Sequence, residues 1–558
     1  MQRPLAFVAD VLAAVLIAVI IAIVATGGGV FEVAGQRISV MGVDNPLLAL
    51  TLIVTLRYAF LRRVPIAGRE RWSVPVIETQ ARDSILYLHR RFERREPRDR
   101  VAGVLTVALF AAVVKILLAW TYPGFFSGDD VEVHEMSIGA LWHVPWPIWD
   151  LRNALFPLGV VYPAQKLSAL ASLDDPASLV VAGRVTVALV SSLTVVLVWR
   201  AGLYLWPRTP GYAVFAAVLF ATSHLHIAFG SSELPRPVAT VLVTGAFVLL
   251  LRPGWGRVAA AGALLGLAAS LRFSEAIFAV PAMAGLAWQR RWTFAVVVAL
   301  WAAATAAAAV ALSDALYWGA PFHSVRAAVD YTLVQRLSSR GYQSVVWYLL
   351  HLFEWVSPGV AILAAVALFR MARVSDVWIW IPLTFLSALP HKEARYMIPV
   401  VPFVCLAATR GFQVVAAAIA DGPARRRGLP LGVIAVVVIG FAHDAGHWRL
   451  PRSNADVAFA RQLDAALPRD ATVVVEQVWR MGGRLYLHPR QVIDLDPDRL
   501  GDAEYLARSV AAGGVVALDS RTVARHGLES ALQARGYRVA PLVVAGSRYR
   551  YFTPLGSH

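Results

Sequence analysis

The chain has 558 residues, of which 58% are hydrophobic and 16% are charged, and its mean hydropathy is +0.59. Repeated apolar runs of roughly 20 residues are long enough to cross a bilayer, so the composition predicts a polytopic α-helical membrane protein and excludes an ordinary soluble domain. The formal net charge of +16 does not indicate nucleic-acid binding, because the arginines are concentrated in connections between apolar runs.

The charges of the first 176 residues predict which side of the membrane each segment faces. Two apolar runs, at 5–25 and 45–61, form a predicted transmembrane pair within residues 1–61. Segment 62–100 carries 11 arginines against six acidic residues, whereas segment 121–176 carries two basic residues against seven acids. Because positively charged loops stay in the cytoplasm, we expect a cytoplasmic N-terminus, a cytoplasmic basic loop and an extracytoplasmic 121–176.

Apolar runs continue from residue 101 to residue 449 and predict one membrane-embedded module. They bring the expected total to about 13 transmembrane helices, and run 258–288 is expected to break at residues 272–275. From residue 450 the pattern changes to strand-like runs such as ATVVVEQV, QVIDLD and GGVVALDS, which alternate with helical patterns. Residues 450–558 are therefore predicted to form a small extracytoplasmic α/β domain with some parallel strand pairing.

A dense cluster of ionisable residues lies near the end of the module, where residues 391–396 read HKEARY between two apolar runs. Charges at such a junction are costly, so they indicate either a working site or a group that only anchors helix ends. Lysine and arginine supply the charge and the N–H donors that bind phosphate. The segment is therefore a candidate phosphate site.

A second polar cluster lies in the early extracytoplasmic segment, where Asp129 and Asp130 are followed within five residues by two glutamates and a histidine. Adjacent carboxylates repel each other, which raises the pKa of one of them towards that of a general base. The pair could equally bind a divalent cation or be solvated without a role. Both clusters are predicted on one membrane face, so a proton acceptor and phosphate-binding cations can meet in one cavity.

The HKEARY segment, followed by Met-Ile-Pro, resembles the HKE-x-R-aromatic motif of the Alg9/PIG-B type mannosyltransferases, glycosyltransferase family 22. These are GT-C fold enzymes that take mannose from a polyprenyl phosphate. The likeness covers roughly residues 100–412, and its sharpest part is the HKE motif. Further segments are similar in the same order: Phe125 to Glu135, Leu271-Arg272-Phe273, Asp314 to Gly319, and Gly341-Tyr342 with Trp347-Tyr348.

The resemblance implies an inverting enzyme that moves a hexose from a polyprenyl-phosphate donor to an extracytoplasmic glycan, glycolipid or protein acceptor. Mannose is the sugar that the resemblance favours. It implies no cofactor and no divalent metal, because fixed cations would stabilise the leaving phosphate. The candidate site residues are Asp129 or Asp130 as proton acceptor; His391, Lys392, Arg395 and Arg272 for the donor phosphate; and Glu393, Glu233, Tyr342 and Tyr396 for orientation or substrate contact.

Two departures from the family pattern leave questions open. The first loop reads Gly-Asp-Asp where the family has Pro-Asp-Glu, so either Asp129 or Asp130 can be the base. The family's Arg-Thr-x-Ser-Asn element is replaced by residues 231–236, so another sugar, such as arabinose, aminoarabinose or glucose, is an alternative. A non-enzymatic lipid-phosphate transporter or flippase is a second alternative, although it should have two related halves, and the sequence has no visible repeat.

A third group of polar residues follows the last apolar run. His443, Asp444 and His447 are spaced at i, i+1 and i+4, which can bring their side chains to one metal ion. The sequence reveals no further ligand for them. His224 and His226 lie in an apolar run and are expected to be packed rather than liganding.

Overall fold

The computed structural model describes the chain apart from residues 1, 27–28, 34–35, 41, 62–63, 65, 67–73, 94–97, 336–341, 422–428, 511–513 and 556–558. Parts of the predicted basic loop, and Gly341 of the Gly341-Tyr342 segment, lie outside the described residues. Up to residue 446 the described chain is mostly helical, with one two-stranded ribbon near its start, and a small mixed sheet follows. The predicted class, a helical membrane protein with a C-terminal α/β unit, is confirmed.

The first part of the chain forms a helical pair, an antiparallel two-stranded ribbon and two further helices. Their bounds are α1 (Gln2–Thr26), β1 (Gly29–Val33), β2 (Gln36–Val40), α2 (Asp44–Leu61), α3 (Val74–Glu93) and α4 (Arg98–Thr121). Helix α3 lies within the predicted basic loop. The Phe92 ring packs on Tyr212, with 5.3 Å between their centroids, so this loop helix is fixed to the module.

The module continues through residue 446 as a bundle around one large hydrophobic core. Its helices are α5 (Gly128–Trp142), α6 (Tyr162–Leu170), α7 (Pro176–Leu205), α8 (Gly211–Thr222), α9 (His224–Gly230), α10 (Pro235–Leu250), α11 (Trp255–Leu271), α12 (Ala279–Trp288), α13 (Trp292–Trp318), α14 (His323–Val329), α15 (Trp347–Leu350), α16 (Pro358–Arg370), α17 (Val377–Ala388), α18 (Val401–Asp421) and α19 (Leu429–Gly446). The expected break is present, since α11 ends at Leu271 and a 3₁₀ turn, Phe273–Phe278, leads into α12.

Six helical segments of the described chain are both long and apolar enough to cross a membrane, or seven if α8 and α9, bent by 53°, make one span. This count is lower than the expected total of about 13. Several apolar runs fold into helices of 10–17 residues, because polar breaks interrupt them. There are five such segments in the described chain: Pro235–Leu250 (α10), Trp255–Leu271 (α11), Phe273–Trp288 (the 3₁₀ turn and α12), Pro358–Arg370 (α16) and Val374–Ala388 (a 3₁₀ turn and α17).

Residues 454–554 form a five-stranded sheet with helices on both faces. Its elements are α20 (Asn454–Ala466), β3 (Val473–Glu476), β4 (Val492–Leu495), α21 (Ala503–Val510), β5 (Val515–Asp519), α22 (Ser520–His526), α23 (Leu528–Gln533), β6 (Tyr537–Val539) and β7 (Tyr549–Pro554). The strand order is β4-β3-β5-β7-β6, in which β3 is parallel to β4 and β5 while β7 is antiparallel to both of its neighbours. The expected partial parallel pairing is confirmed.

The C-terminal sheet packs directly on helix α5. Val131 and Ile138 of α5 share one hydrophobic core with Val473 and Val475 of β3, while Val474, on the other face of that strand, belongs to a separate core. This alternation is the period of two that a strand imposes. The sheet therefore supports the helix that begins with the predicted acidic motif.

Two glycines let α11 and α13 approach closely. A Cβ atom on Gly266 would lie 2.4 Å from the Ala302 carbonyl oxygen, and one on Gly262 would lie 2.7 Å from the Val298 carbonyl oxygen. Small residues four positions apart are typical of close helix packing in membranes, where van der Waals contact drives association.

The substitution Gly266→Ala should therefore force α11 away from α13. Such overpacking costs about 1–3 kcal/mol, so we expect a lower melting temperature of the detergent-purified protein. Gly256→Ala, in the same helix but with open space at the Cβ position, is the matched control. It should be neutral or slightly stabilising, because alanine is the better helix former. Equal melting temperatures for both variants would contradict this packing.

Candidate functional site

A cavity of about 570 Å³ opens where the start of α5 meets the turn that precedes α18. Other parts of its wall are the loop before α6, the start of α10, the turn after α11 and residues 328–332. The wall is rich in charge. Its ionisable side chains are Asp129, Arg152, Arg236, Arg272, His391, Glu393, Arg395, Tyr331 and Tyr396.

Asp129 is held between two arginines from distant parts of the chain. It lies in the first turn of α5, where the helix dipole favours a carboxylate. One carboxylate oxygen accepts a hydrogen bond from Arg152, and the other lies 3.2 Å from Nη2 of Arg395. The early acid and the late cationic segment thus meet in one cavity, as the sequence predicts.

The charges around Asp129 keep its carboxylate ionised. Burial raises the pKa of Asp129, but the guanidinium groups of Arg152 and Arg395 outweigh burial and hold this pKa well below its usual range. Its side chain is 24% exposed, so the carboxylate reaches the cavity. The cavity wall therefore carries an ionised acid at neutral pH.

Asp130, the neighbouring acid, points away from the cavity wall. Its residue is 1% exposed, and its two carboxylate oxygens accept hydrogen bonds from the Phe126 backbone N–H at 3.2 Å and the Ser127 hydroxyl at 3.0 Å. Burial, with repulsion from the Glu233 carboxylate, raises the pKa of Asp130 to about 7. Asp130 thus braces the loop in front of Asp129.

The 391–396 segment forms a chain of polar contacts along the wall. Nε2 of His391 lies 2.9 Å from Oε1 of Glu393, and Glu393 also accepts hydrogen bonds from Arg395, one of them 3.1 Å long. Lys392 turns in the other direction. It is 2% exposed, and its ammonium donates to the backbone carbonyls of Gln343, at 3.0 Å, and Leu389.

The predicted residues Arg272 and Tyr396 both line the cavity. Besides Asp130 and Lys392, two further predicted residues lie outside the wall. Glu233 is fully buried, and its carboxylate is bound by Arg184 with N···O distances of 2.6 and 3.0 Å, so it belongs to an interior ion pair. Tyr342 is 78% exposed and is not part of the cavity wall.

Two arginines of the site escaped sequence reasoning. Arg152 bridges Asp129 and Glu132, and it is the single arginine in the otherwise acidic segment 121–176, a signal that could have identified it. Arg236 lies with its guanidinium carbon 4.0 Å from the centroid of the Tyr396 ring and donates to Glu275 at 3.2 Å. The sequence around Arg236 contains no pattern that predicts its contacts with Tyr396 and Glu275.

Two groups of histidines and carboxylates in the described part of the chain are close enough to share a metal ion. They are Asp44 with His443 and His447, and His224 with His443 and Asp444. Neither group contributes a residue to the cavity wall. His443, Asp444 and His447, which their spacing predicted as possible metal ligands, thus lie beside two further potential ligands. These are Asp44 of α2 and His224 of α9.

Comparisons with known proteins identify a family and a shared fold. Residues 131–448 match the model of the Alg9-like mannosyltransferase family. The sequence comparison with curated proteins gives no match.

Solved structures share the fold. ArnT from Cupriavidus metallidurans, bound to undecaprenyl phosphate, superposes with a TM-score of 0.53 and 14% identity over 83% of this chain and 99% of that chain. The archaeal oligosaccharyltransferase AglB from Archaeoglobus fulgidus, in complex with an inhibitory peptide and a dolichol-phosphate, gives a TM-score of 0.51 and 12% identity over 81% and 74% of the two chains. Since the family model covers more than half of the sequence and the fold is of the GT-C type, the chain belongs to the Alg9-like mannosyltransferase family of glycosyltransferases.

Proposed function

We propose that this glycosyltransferase moves a hexose, mannose in the first place, from a polyprenyl-phosphate carrier to an acceptor hydroxyl on the extracytoplasmic face, with inversion. The observation that carries the proposal is the Asp129 carboxylate bound between Arg152 and Arg395 on the cavity wall. Family membership supports mannose, and the undecaprenyl and dolichol phosphates bound by ArnT and AglB support a lipid-phosphate donor.

The donor phosphate binds to the cationic side of the cavity. Arg395 and Arg272 present planar N–H donors that match phosphate oxygens in pairs, and the imidazole of His391 adds a further N–H donor. Glu393 orients Arg395 by two hydrogen bonds. The Tyr396 ring packs on the guanidinium of Arg236 in the neighbouring part of the wall. Lys392 acts through the backbone, because its ammonium holds residues 389–392 against Gln343.

Phosphate binding activates Asp129. The carboxylate is a weak base while two guanidinium groups stabilise its charge. A phosphate that takes over hydrogen bonds from Arg395 weakens this stabilisation, so the pKa of Asp129 rises towards that of a useful base. Binding of the donor thus prepares the acid for the acceptor.

The transfer is then a single displacement. The acceptor oxygen attacks the anomeric carbon on the side opposite the phosphate, the new carbon–oxygen bond forms, and the bond to the phosphate oxygen breaks. Asp129 takes the hydroxyl proton, and the arginines stabilise the charge that develops on the leaving phosphate. Asp130 is the weaker candidate for the base, because its carboxylate is buried away from the wall.

In the proposed topology about 13 apolar helices or helix pairs cross the membrane, including those of 10–17 residues. Residues 1–61 form the N-terminal pair, 62–100 the cytoplasmic loop, 101–449 the catalytic module and 450–558 an extracytoplasmic domain. Contacts of α8 and α9 support this topology. Near its start, α8 contacts α3 through Tyr212 and Phe92. The following helix, α9, contacts the turn Ala394–Val400 beside the cavity. Helix α3 and the cavity therefore lie at opposite ends of the α8–α9 pair.

The main rival within the class is transfer of another sugar, such as arabinose, aminoarabinose or glucose. A panel of polyprenyl-phosphate sugars, with release of free polyprenyl phosphate as the readout, separates these donors. A flippase is disfavoured because nine ionisable side chains line one cavity, and the sequence has no visible repeat that would form two related halves.

Asp129→Asn should abolish transfer while donor binding survives. Loss of a general base lowers turnover by about 10²–10⁴-fold. Turnover is measured as acceptor-dependent release of polyprenyl phosphate by the purified full-length protein, and donor affinity is measured by direct binding. Asp174→Asn, at an exposed acid of the same segment, is the control and should behave as the wild type. A fully active Asp129→Asn variant would refute the assignment.

Arg395→Gln should weaken donor binding by roughly 10–100-fold, because a charge-assisted hydrogen bond to phosphate contributes about 1.5–3 kcal/mol. Arg395→Lys should recover little of this loss, since an ammonium cannot form the planar paired contact. The measurement is the KM for the donor at saturating acceptor. Arg469→Gln, at an exposed position of the C-terminal domain, serves as reference. An unchanged KM in Arg395→Gln would exclude a phosphate contact.

Asp130 should make stability depend on pH. Its folded-state pKa of about 7 lies above the ordinary aspartate value of 3.8, so at intermediate pH the folded state keeps a proton that the unfolded state has released. The free energy of unfolding therefore falls as pH rises from about 4 to about 7, by up to about 1.4 kcal/mol per pH unit. Asp130→Asn has no such proton, and its melting temperature should fall less over this range. Parallel curves for the two proteins would contradict the shifted pKa.

A further inference from the structure

Three parts of the chain that are distant in sequence meet beside the end of α19. Asp44 begins α2, His224 begins α9, and His443 and Asp444 lie in the last turn of α19 with His447 just beyond it. His443 and Asp444 are 4% exposed, whereas the Asp44 side chain is 62% exposed. The cluster is therefore buried on one side and open to solvent on the other.

Packing that involves none of these polar side chains holds the cluster together. Val43 is completely buried, and a Cβ atom on Gly446 would lie 2.4 Å from its Cγ2 atom, so only glycine lets the start of α2 approach α19 this closely. Nη2 of Arg449 also donates to the Ala25 carbonyl oxygen at 2.9 Å. The backbone thus positions Asp44 beside the histidines before any ion binds.

The tautomer of His447 is set by its neighbour. Its Nδ1 lies 2.8 Å from the His443 carbonyl oxygen, which can only accept, so Nδ1 carries the proton. In the neutral ring, Nε2 then offers a lone pair towards the Asp44 carboxylate. An imidazole whose other nitrogen donates to a backbone carbonyl is the usual arrangement of a metal-bound histidine.

The distances between the candidate ligand atoms fit a shared ion better than direct hydrogen bonds. Nε2 of His447 lies 3.4 Å from Oδ2 of Asp44, and Nε2 of His443 lies 3.7 Å from Oδ1. Both are longer than an ordinary hydrogen bond of about 2.7–3.2 Å. Ligands bound to zinc at about 2.0–2.1 Å in a tetrahedral arrangement are roughly 3.4 Å apart.

The neighbouring pair plays a different part. His224 has Nδ1 2.6 Å from Asp444 and Nε2 2.9 Å from the Glu354 carbonyl oxygen, so both of its nitrogens already have acceptors. This pair packs against His443, with 5.4 Å between the two imidazole centroids. It therefore fixes the inner wall of the cluster rather than supplying the first ligands.

We propose that Asp44, His443 and His447 bind one divalent transition-metal ion of the zinc type, separate from the sugar-transfer cavity. Two imidazoles and one carboxylate select such ions over Mg²⁺ and Ca²⁺, which prefer oxygen ligands. The exposed carboxylate leaves a route for the ion to enter. The bound ion joins the N-terminal helix pair to the last helix of the catalytic module, so its role is to fasten these helices.

Metal binding is tested with the full-length protein in detergent after treatment with a chelator. Zn²⁺ is titrated and quantified by elemental analysis, and Co²⁺ is added as a spectroscopic probe whose visible absorption reports imidazole ligation. The variants are Asp44→Asn and His447→Gln, and His526→Gln, at an exposed histidine of the C-terminal domain, is the matched control. Melting temperature is measured with and without Zn²⁺, because an ion that binds only the folded state raises it.

The wild type and His526→Gln should each bind one equivalent and gain thermal stability from Zn²⁺. Asp44→Asn and His447→Gln should bind at least tenfold more weakly, lose most of the Co²⁺ absorption and gain little stability. The Asp44 side chain is largely exposed, so the Asp44→Asn variant is expected to fold. Loss of metal binding in this variant therefore reports the loss of a ligand rather than unfolding. The proposal is overturned if the wild type binds no metal, or if both variants bind as tightly as the wild type. Transfer activity does not enter the readout, so this outcome is independent of the proposed function.

Discussion

The ion pairs of Asp129 with Arg152 and Arg395 determine the character of this site. They join residues that are 23 and 266 positions apart in the chain. Charges that are mostly removed from water are stable only when opposite charges and hydrogen bonds compensate them, so each partner requires the others. The same contacts keep the acid ionised and direct two guanidinium groups towards one cavity, which is the arrangement that a departing phosphate needs.

The rest of the fold supports this arrangement from two sides. Glu393 orients Arg395 within the membrane module, while the C-terminal domain contacts the helix of Asp129. Arg484 donates its backbone N–H to Glu135 of α5 at 2.7 Å, and its side chain reaches the same carboxylate. A C-terminal domain of modest size thus supports the helix that carries Asp129 without providing a residue of the cavity wall.

Much of this organisation follows from patterns that are local in sequence. Apolar runs, arginine-rich connections and the alternation within Val473–Glu476 each depend on a few neighbouring residues, so the membrane class and the small sheet could be predicted. The HKEARY motif pointed to Arg395 for the same reason. The direction of Lys392 and the partners of Glu233 could not be predicted, because they depend on which distant carbonyl or guanidinium group lies nearby. The expected total of about 13 spans stays a prediction, because six or seven helical segments of the described chain are long and apolar enough to cross a membrane and the other apolar helices are shorter.

Helix α5 belongs to two cores at once. Val133, on one of its faces, packs within the bundle, whereas Val131 and Ile138 pack under the sheet. Because both interiors are tightly packed, a displacement of this helix would open voids on both sides and is energetically costly. The carboxylate at its first turn is therefore a fixed point of the cavity wall.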